Sequence, residues 1–144
     1  MTNQQKPNEY LKVKIQTAQP SELLLLLLDG ALRFARQAKP LMGTNEFEEK
    51  NRLFLRAQNI VLELFQALDQ RIGDELYARL TGLYRFCYDR LVRANVENDT
   101  SAVDDALSIL EHLRETWGLA VRKARDESGG TPPPPERHAL CIEG

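Results

Sequence analysis

Apolar residues recur at three- and four-residue steps along four long stretches of this chain, the period of amphipathic helices. In the first stretch Leu24, Leu27, Leu28, Ala31, Phe34, Ala35 and Ala38 share one side, while Glu22, Asp29, Arg33 and Gln37 share the opposite one. Pro20 suits a first helical turn, Glu22 complements the helix dipole, and Pro40 with Gly43 ends the pattern, so a helix is predicted over about Pro20 to Ala38. The six consecutive leucines Leu23 to Leu28 overfill it. Leu23, Leu24, Leu27 and Leu28 read as core. Leu26 falls in the middle of the polar side and Leu25 at its edge, so something is expected to cover that face.

The second helix is predicted from about Asn45 to Gln70. Leu53, Ala57, Ile60, Leu64 and Leu68 make one stripe, and Phe47, Leu55, Leu62 and Phe65 make a second that also carries Asn51 and Gln58. With Phe54 and Val61 the apolar arc reaches roughly 200°, where a surface helix needs about 100° or somewhat more. That exceeds what a four-helix core uses. Gly73 breaks the chain before a third helix, about Asp74 to Val96. Its core stripe is Leu76, Leu80, Leu83, Cys87, Leu91 and Ala94; Tyr77, Tyr84, Tyr88 and Val92 widen one edge, and Arg79, Arg90 and Arg93 surround Phe86 on the far side. Asn98 to Ser101 is a turn and N-cap region. The fourth helix, about Ser101 to Arg125, has a single narrower face from Val103 to Ala124.

Helices of about 20 residues, each ~30 Å long and joined by short turns, imply an all-α, antiparallel up-down four-helix bundle. The expected division is an N-terminal arm or cap over 1–16, the bundle over 17–125, and a disordered Gly/Pro-rich tail over 126–144. The arm's Tyr10, Leu11, Val13 and Ile15 form a patch too short to fold alone, so it must dock on something.

Composition narrows the function. The chain has 144 residues, 42% hydrophobic and 28% charged, which fits one soluble globular domain. A net charge of −2 gives no reason to expect nucleic acid or an acidic membrane as partner. No signal peptide is visible, and the leucine run is too short for stable membrane insertion, so a cytoplasmic location is expected, with Cys87 and Cys141 reduced. Cys87, on an apolar stripe, reads as a small core residue.

Catalytic chemistry is not supported. Neither His112 nor His138 follows a glutamate by three residues, as a di-iron bundle requires. No Cys/His cluster has zinc spacing, and no glycine-rich phosphate loop occurs. Carboxylates such as Glu46, Glu48, Glu49, Asp104 and Asp105 read as solvated helix faces. No catalytic residue, metal or cofactor is therefore expected, and the chain is not expected to be an enzyme. The surplus apolar surface on the second and third helices leaves three explanations: a bound partner, a homodimer of structural or adaptor type, or cover by the N-terminal segment. Interhelical grooves suit an extended or helical peptide.

Several blocks, in order, carry a resemblance: Tyr10; Thr17-Ala18-Gln19-Pro20-Ser21-Glu22-Leu23; Leu28-Asp29-Gly30-Ala31-Leu32-Arg33-Phe34; Asn51 with Arg56-Ala57-Gln58-Asn59-Ile60 and Glu63-Leu64; Gly73; Leu83-Tyr84; Arg90-Leu91-Val92-Arg93-Ala94-Asn95; and Leu113-Arg114-Glu115-Thr116-Trp117. Over about Tyr10 to Ala120 the chain resembles the FliS family of bacterial flagellin export chaperones. It departs from the family pattern at Gln19, at Leu28 and in its Pro-rich tail. The resemblance implies a cytosolic, non-enzymatic chaperone, a monomer or weak homodimer. Its partners would be the disordered C-terminal segment of flagellin and the flagellar type III export machinery, and binding would block premature polymerisation. On the residues of this chain the implied binding set is Asn51, Leu55, Gln58, Leu62 and Phe65 on the second helix and Tyr77, Tyr84, Tyr88 and Asn95 on the third. Leu25 and Leu26 are an expected shared edge, and Tyr10, Val13 and Ile15 an N-terminal cap that cargo displaces.

Overall fold

The structure, a computed structural model, describes residues 20–127, with side chains from Ser21 onward. The expected arm with Tyr10, Val13 and Ile15, and the expected tail with His138 and Cys141, lie outside the described residues. Four helices follow: α1 (Pro20–Ala38), α2 (Phe47–Ala67), α3 (Asp74–Glu97) and α4 (Thr100–Glu127). α1 packs on α2 and α4, and α3 packs on the same two, so the helices stand in cyclic order. Every seam is antiparallel. Gly30 and Phe34 of α1 face Ile60 and Arg56 of α2. Asn51 and Phe65 of α2 face Asn95 and Tyr84 of α3. Cys87 and Arg90 of α3 face Ala106 and Asp105 of α4. Between α1 with the residue that follows it and α4, ion pairs run from Glu22–Arg125 at one end to Lys39–Asp104 at the other. This is the predicted up-down bundle.

The core is tightest against α1. Ala31, Ala35 and Ala38 are wholly buried, and a Cβ added at Gly30 would stand 3.0 Å from Ile60 Cδ1. A Cβ there would require the Ile60 side chain to give by a few tenths of an ångström. Leu24 and Leu28 are buried and Leu27 packs against the core. Leu23, expected in the core, is only half-buried and stands outside it. The Gly30–Ile60 register sets Leu23 opposite the last residue of α2, Ala67, so little helix is left to cover it. The same shortness of α2 leaves Leu76, in the first turn of α3, 46% exposed. Cys87 is buried as expected, its Sγ 3.9 Å from the Ala106 carbonyl, and burial pushes the thiol up to about 12.

The helix ends follow local hydrogen bonding. α2 begins two residues later than predicted because Thr44 holds the preceding loop: its hydroxyl donates to the Leu41 carbonyl at 2.7 Å and accepts the Glu46 N–H at 3.1 Å. α2 stops at Ala67 because Leu68 is extended and the Asp69 carboxylate accepts the Arg71 N–H at 2.8 Å, forming a 3₁₀ turn over Gln70–Ile72. Gly73 follows at φ 112°, a conformation that glycine adopts without strain. Asp99 caps α4, accepting the Ala102 N–H at 3.2 Å and the Ser101 hydroxyl at 2.9 Å. α4 then runs to Glu127, two residues beyond the predicted end.

Two predictions follow from these contacts. Gly30→Val should lower stability by about 1–3 kcal/mol through overpacking, read as a fall in the thermal midpoint by circular dichroism; an unchanged midpoint would mean that α1 and α2 have room to part. The Ser101 hydroxyl, with the Ala102 and Arg93 donors, holds the Asp99 carboxyl below its ordinary range. A carboxyl depressed by folding contributes stability above its unfolded pKa and loses it as pH falls through the folded value. Asp99→Asn should therefore make the bundle less stable at neutral pH and flatten its loss of stability between about pH 5 and about pH 2. Denaturant titrations of both proteins across that window measure the difference.

Candidate functional site

The second stripe of α2 and the tyrosine edge of α3 meet at one seam. Asn95 Nδ2 donates to Asn51 Oδ1 at 2.8 Å at one end, and the rings of Phe65 and Tyr84 meet at 6.0 Å and 55° toward the other. Between them Leu55 and Leu62 are 45% and 40% exposed, well above what core leucines show. Tyr77, Tyr88 and Phe65 are half-buried, with Phe65 and Tyr88 lying against the core. The seam therefore presents apolar side chains to solvent with polar groups among them.

Two of the expected contact residues are buried. Tyr84 is 1% exposed and belongs to the core, so it underlies the seam and offers no accessible ring. Burial raises its phenol to about 12. Gln58 is 5% exposed. Neither the Gln58 carboxamide nor the Tyr84 hydroxyl makes a hydrogen bond among the described residues. A buried polar group without a partner costs roughly 1–3 kcal/mol, and two such groups sit on the facing stripes of one seam.

Lys50 was not anticipated from the sequence. It is 7% exposed, and its Nζ donates to the Asn95 carbonyl at 3.0 Å and to Asn98 Oδ1 at 2.9 Å. Its ammonium thus sits at the C-terminal end of the α3 dipole, where a cation is favoured. Asn98, left-handed at φ 51°, closes α3 and also accepts the Gly43 N–H at 3.3 Å. Lys50 is spaced with Phe54, Ala57, Val61 and Leu64 on the inner stripe of α2, and a lysine on that stripe was the available signal.

The leucine run is elsewhere. Leu25 lines an open groove of about 750 Å³ between α1 and α4, the seam opposite α2–α3 in the cyclic order. Arg114 crosses this groove, donating from Nε to Asp29 Oδ1 at 2.7 Å, and Gly118 leaves space beside it. Leu26 is half-buried on α1. The structure therefore gathers Asn51, Leu55, Gln58, Leu62, Phe65, Tyr77, Tyr84, Tyr88 and Asn95 at one seam and does not bring Leu25 to it. His112 is exposed, as a surface histidine would be. Among the described residues no three His, Cys, Asp or Glu side chains are grouped to hold a metal ion, and no helix is long and apolar enough to cross a membrane.

The structure is a helical bundle with exposed apolar and polar side chains gathered along one interhelical seam. The sequence model of the family described as "Flagellar protein FliS" matches residues 1–124. The flagellar secretion chaperone FliS of Bacillus subtilis is 37% identical over 124 residues, covering 84% of this chain and 92% of that protein. The flagellar secretion chaperone FliSB of Pseudomonas aeruginosa is 35% identical over 107 residues, covering 74% and 85%. A solved structure described as a flagellar chaperone from bacteria superposes with a TM-score of 0.67 at 21% identity, over 84% of this chain and 98% of that one, and shares the fold. The chain belongs to the FliS family, a family of chaperones and not of enzymes.

Because the Tyr84 hydroxyl has no hydrogen-bond partner among the described residues, Tyr84→Phe should leave the bundle as stable or raise its stability by up to about 1 kcal/mol. Chemical denaturation tests this; a loss of stability would reveal a hydrogen bond made by that hydroxyl.

Proposed function

We propose that this chain is a cytoplasmic chaperone that binds the disordered C-terminal segment of flagellin along the α2–α3 seam. In this reading it keeps flagellin from polymerising early and presents it to the flagellar type III export machinery. The observation that carries the reading is the seam itself: exposed Leu55 and Leu62 flanked by the Asn51–Asn95 pair and the half-buried Tyr77, Tyr88 and Phe65. The flagellar secretion chaperones to which the chain is similar support the choice of cargo.

Binding here is coupled folding. Burying apolar area yields ~25 cal/mol per Å², against an ordering cost of about 2–5 kcal/mol or more for the cargo segment. Leucines and aromatics supply the area, and amides meet backbone groups of the cargo that would otherwise be buried unpaired. Tyr84 acts from beneath, as the floor on which Phe65 rests. Tyr10, Val13, Ile15, Leu25 and Leu26 stay in the proposed contact set on the strength of the sequence alone.

Leu62→Asp should weaken binding of a flagellin C-terminal peptide by about tenfold or more while far-ultraviolet circular dichroism keeps its helical signal. Isothermal titration measures the first and the spectrum the second. Unfolding of the variant would place Leu62 in the core. Size-exclusion chromatography with and without the peptide separates this reading from self-association: a dimer indifferent to the peptide would sink the chaperone reading.

A further inference from the structure

The outward face of α3 plays no part in the α2–α3 seam. Glu75, Arg79, Gly82, Phe86, Asp89 and Arg93 follow one another at alternating steps of four and three residues, the period of a helix that lies along another helix. All six are exposed, and they span about 27 Å of the helix axis. At about 100° per residue, Tyr77, Tyr88 and Asn95 of the seam fall on the other side of the helix.

Two features of this stripe are unexplained by the described residues. Phe86 is 46% exposed, although the Arg90 guanidinium lies 5.5 Å from its ring centroid. Gly82 stands in the interior of a 24-residue helix, where glycine is unfavourable relative to alanine. A Cβ added to it would meet nothing within 4 Å, so no described residue requires the side chain to be absent.

The stripe is also self-complementary. From its N-terminal end it reads acid, base, glycine, phenylalanine, acid, base. A second copy of α3, antiparallel about a two-fold axis at the level of Tyr84, sets Phe86 opposite the partner's Gly82, Asp89 opposite the partner's Arg79, and Arg93 opposite the partner's Glu75. The two-fold makes every contact twice. A parallel copy in register would set each charge against its like. The charges are available for such pairing. Asp89 makes no ion pair among the described residues, and Arg79 holds Glu75 only at 3.8 Å, with side chains 69% and 91% exposed. Arg93 already pairs with Glu97 and Asp99 at the helix end, so the inner contacts carry most of the match.

We propose that the outward face of α3 docks on the same face of a second copy of this chain, each Phe86 seated in the notch at the partner's Gly82. The proposal does not rest on the chaperone reading, and it leaves the α2–α3 seam of both copies open. One helix pair buries less than the about 1,200–2,000 Å² of a standard stable interface, so the dimer is weak.

Sedimentation equilibrium of the full chain between about 1 µM and about 1 mM reads the association. A reversible dimer is expected, and a monomer at the highest concentration overturns the proposal. Arg79→Asp and Asp89→Arg each set like charges together twice in the dimer, and each should weaken it about tenfold or more. An equimolar mixture of the two variants pairs these charges with their opposites and should restore association. A mixture that associates no better than its components overturns the antiparallel geometry. Gly82→Leu fills the notch and should weaken the dimer about tenfold. The thermal midpoint of the dilute monomer should hold or rise in that variant, because the space is open and leucine favours helix. Wild-type association in all three variants moves the contact off this face and overturns the proposal. Addition of the flagellin C-terminal peptide supplies the last arm: the dimer should gain the mass of bound peptide and remain a dimer. Peptide that dissolves the dimer places the self-contact on the α2–α3 seam and overturns the outward face.

Discussion

The close approach of α1 to α2 at Gly30 governs the rest of the bundle. With Ile60 Cδ1 only 3.0 Å from where a Cβ would stand, and with Ala31, Ala35 and Ala38 wholly buried, α1 presents a face of small residues to its neighbours. α2 answers with an inner arc of Leu53, Phe54, Ala57, Val61 and Leu64, all 3% exposed or less. A helix can turn only part of its circumference toward one neighbour. Once that arc is committed to the core, the second stripe of Asn51, Leu55, Gln58, Leu62 and Phe65 is rotated to the α3 seam and its outer edge. The exposed leucines of the candidate site are thus a geometric consequence of how tightly α1 holds α2.

The charged contacts across α1 and α4 act differently. Asp29–Arg114, Arg36–Glu111 and Lys39–Asp104 lie at 2.6–2.7 Å, yet their side chains are 38–54% exposed. Exposed pairs of this kind contribute little, about 0–1 kcal/mol each. Their use is register: four pairs, with Glu22–Arg125 at 3.7 Å, follow one another along the seam and would all be lost together by a slip of one turn. Two of the sequence blocks by which the chain resembles its family supply Asp29 and Arg114, and two supply Gly30 and Ile60. Blocks far apart in the chain are therefore partners in space.

The sequence made much of this legible because the deciding signals are local. Helical period, Pro20, Pro40, Gly73 and the turn at Asn98 to Ser101 place the helices, and α1 is bounded to the residue. What the pattern could not supply was relative length. Periodicity marked Leu23 and Leu76 as core, but α2 ends at Ala67, and a stripe is core only where a neighbour continues beside it. The depth of side chains within a stripe was hidden for the same reason. Tyr84 and Tyr88 lie one turn apart on one edge, yet Tyr84 is buried and Tyr88 half-exposed, because Phe65 stands over the first. The role of Lys50 is not legible in the sequence, because a lysine is expected in water and its anchorage depends on the end of a different helix.

The polar groups under the α2–α3 seam bear on what a chaperone can hold. An entirely apolar groove would bind through area alone and would favour any hydrophobic segment, including another copy of itself. Gln58 and Tyr84, buried without partners among the described residues, make the empty seam less comfortable than an apolar one of the same shape. In the proposed chaperone reading, a ligand that reaches Gln58 with an amide group relieves part of that cost, whereas Tyr84 lies beneath the seam and is not reached. Buried polar groups discriminate by penalising the wrong occupant more than by rewarding the right one. Lys50 ties the last turn of α3 to α2 through the Asn95 carbonyl and Asn98 Oδ1.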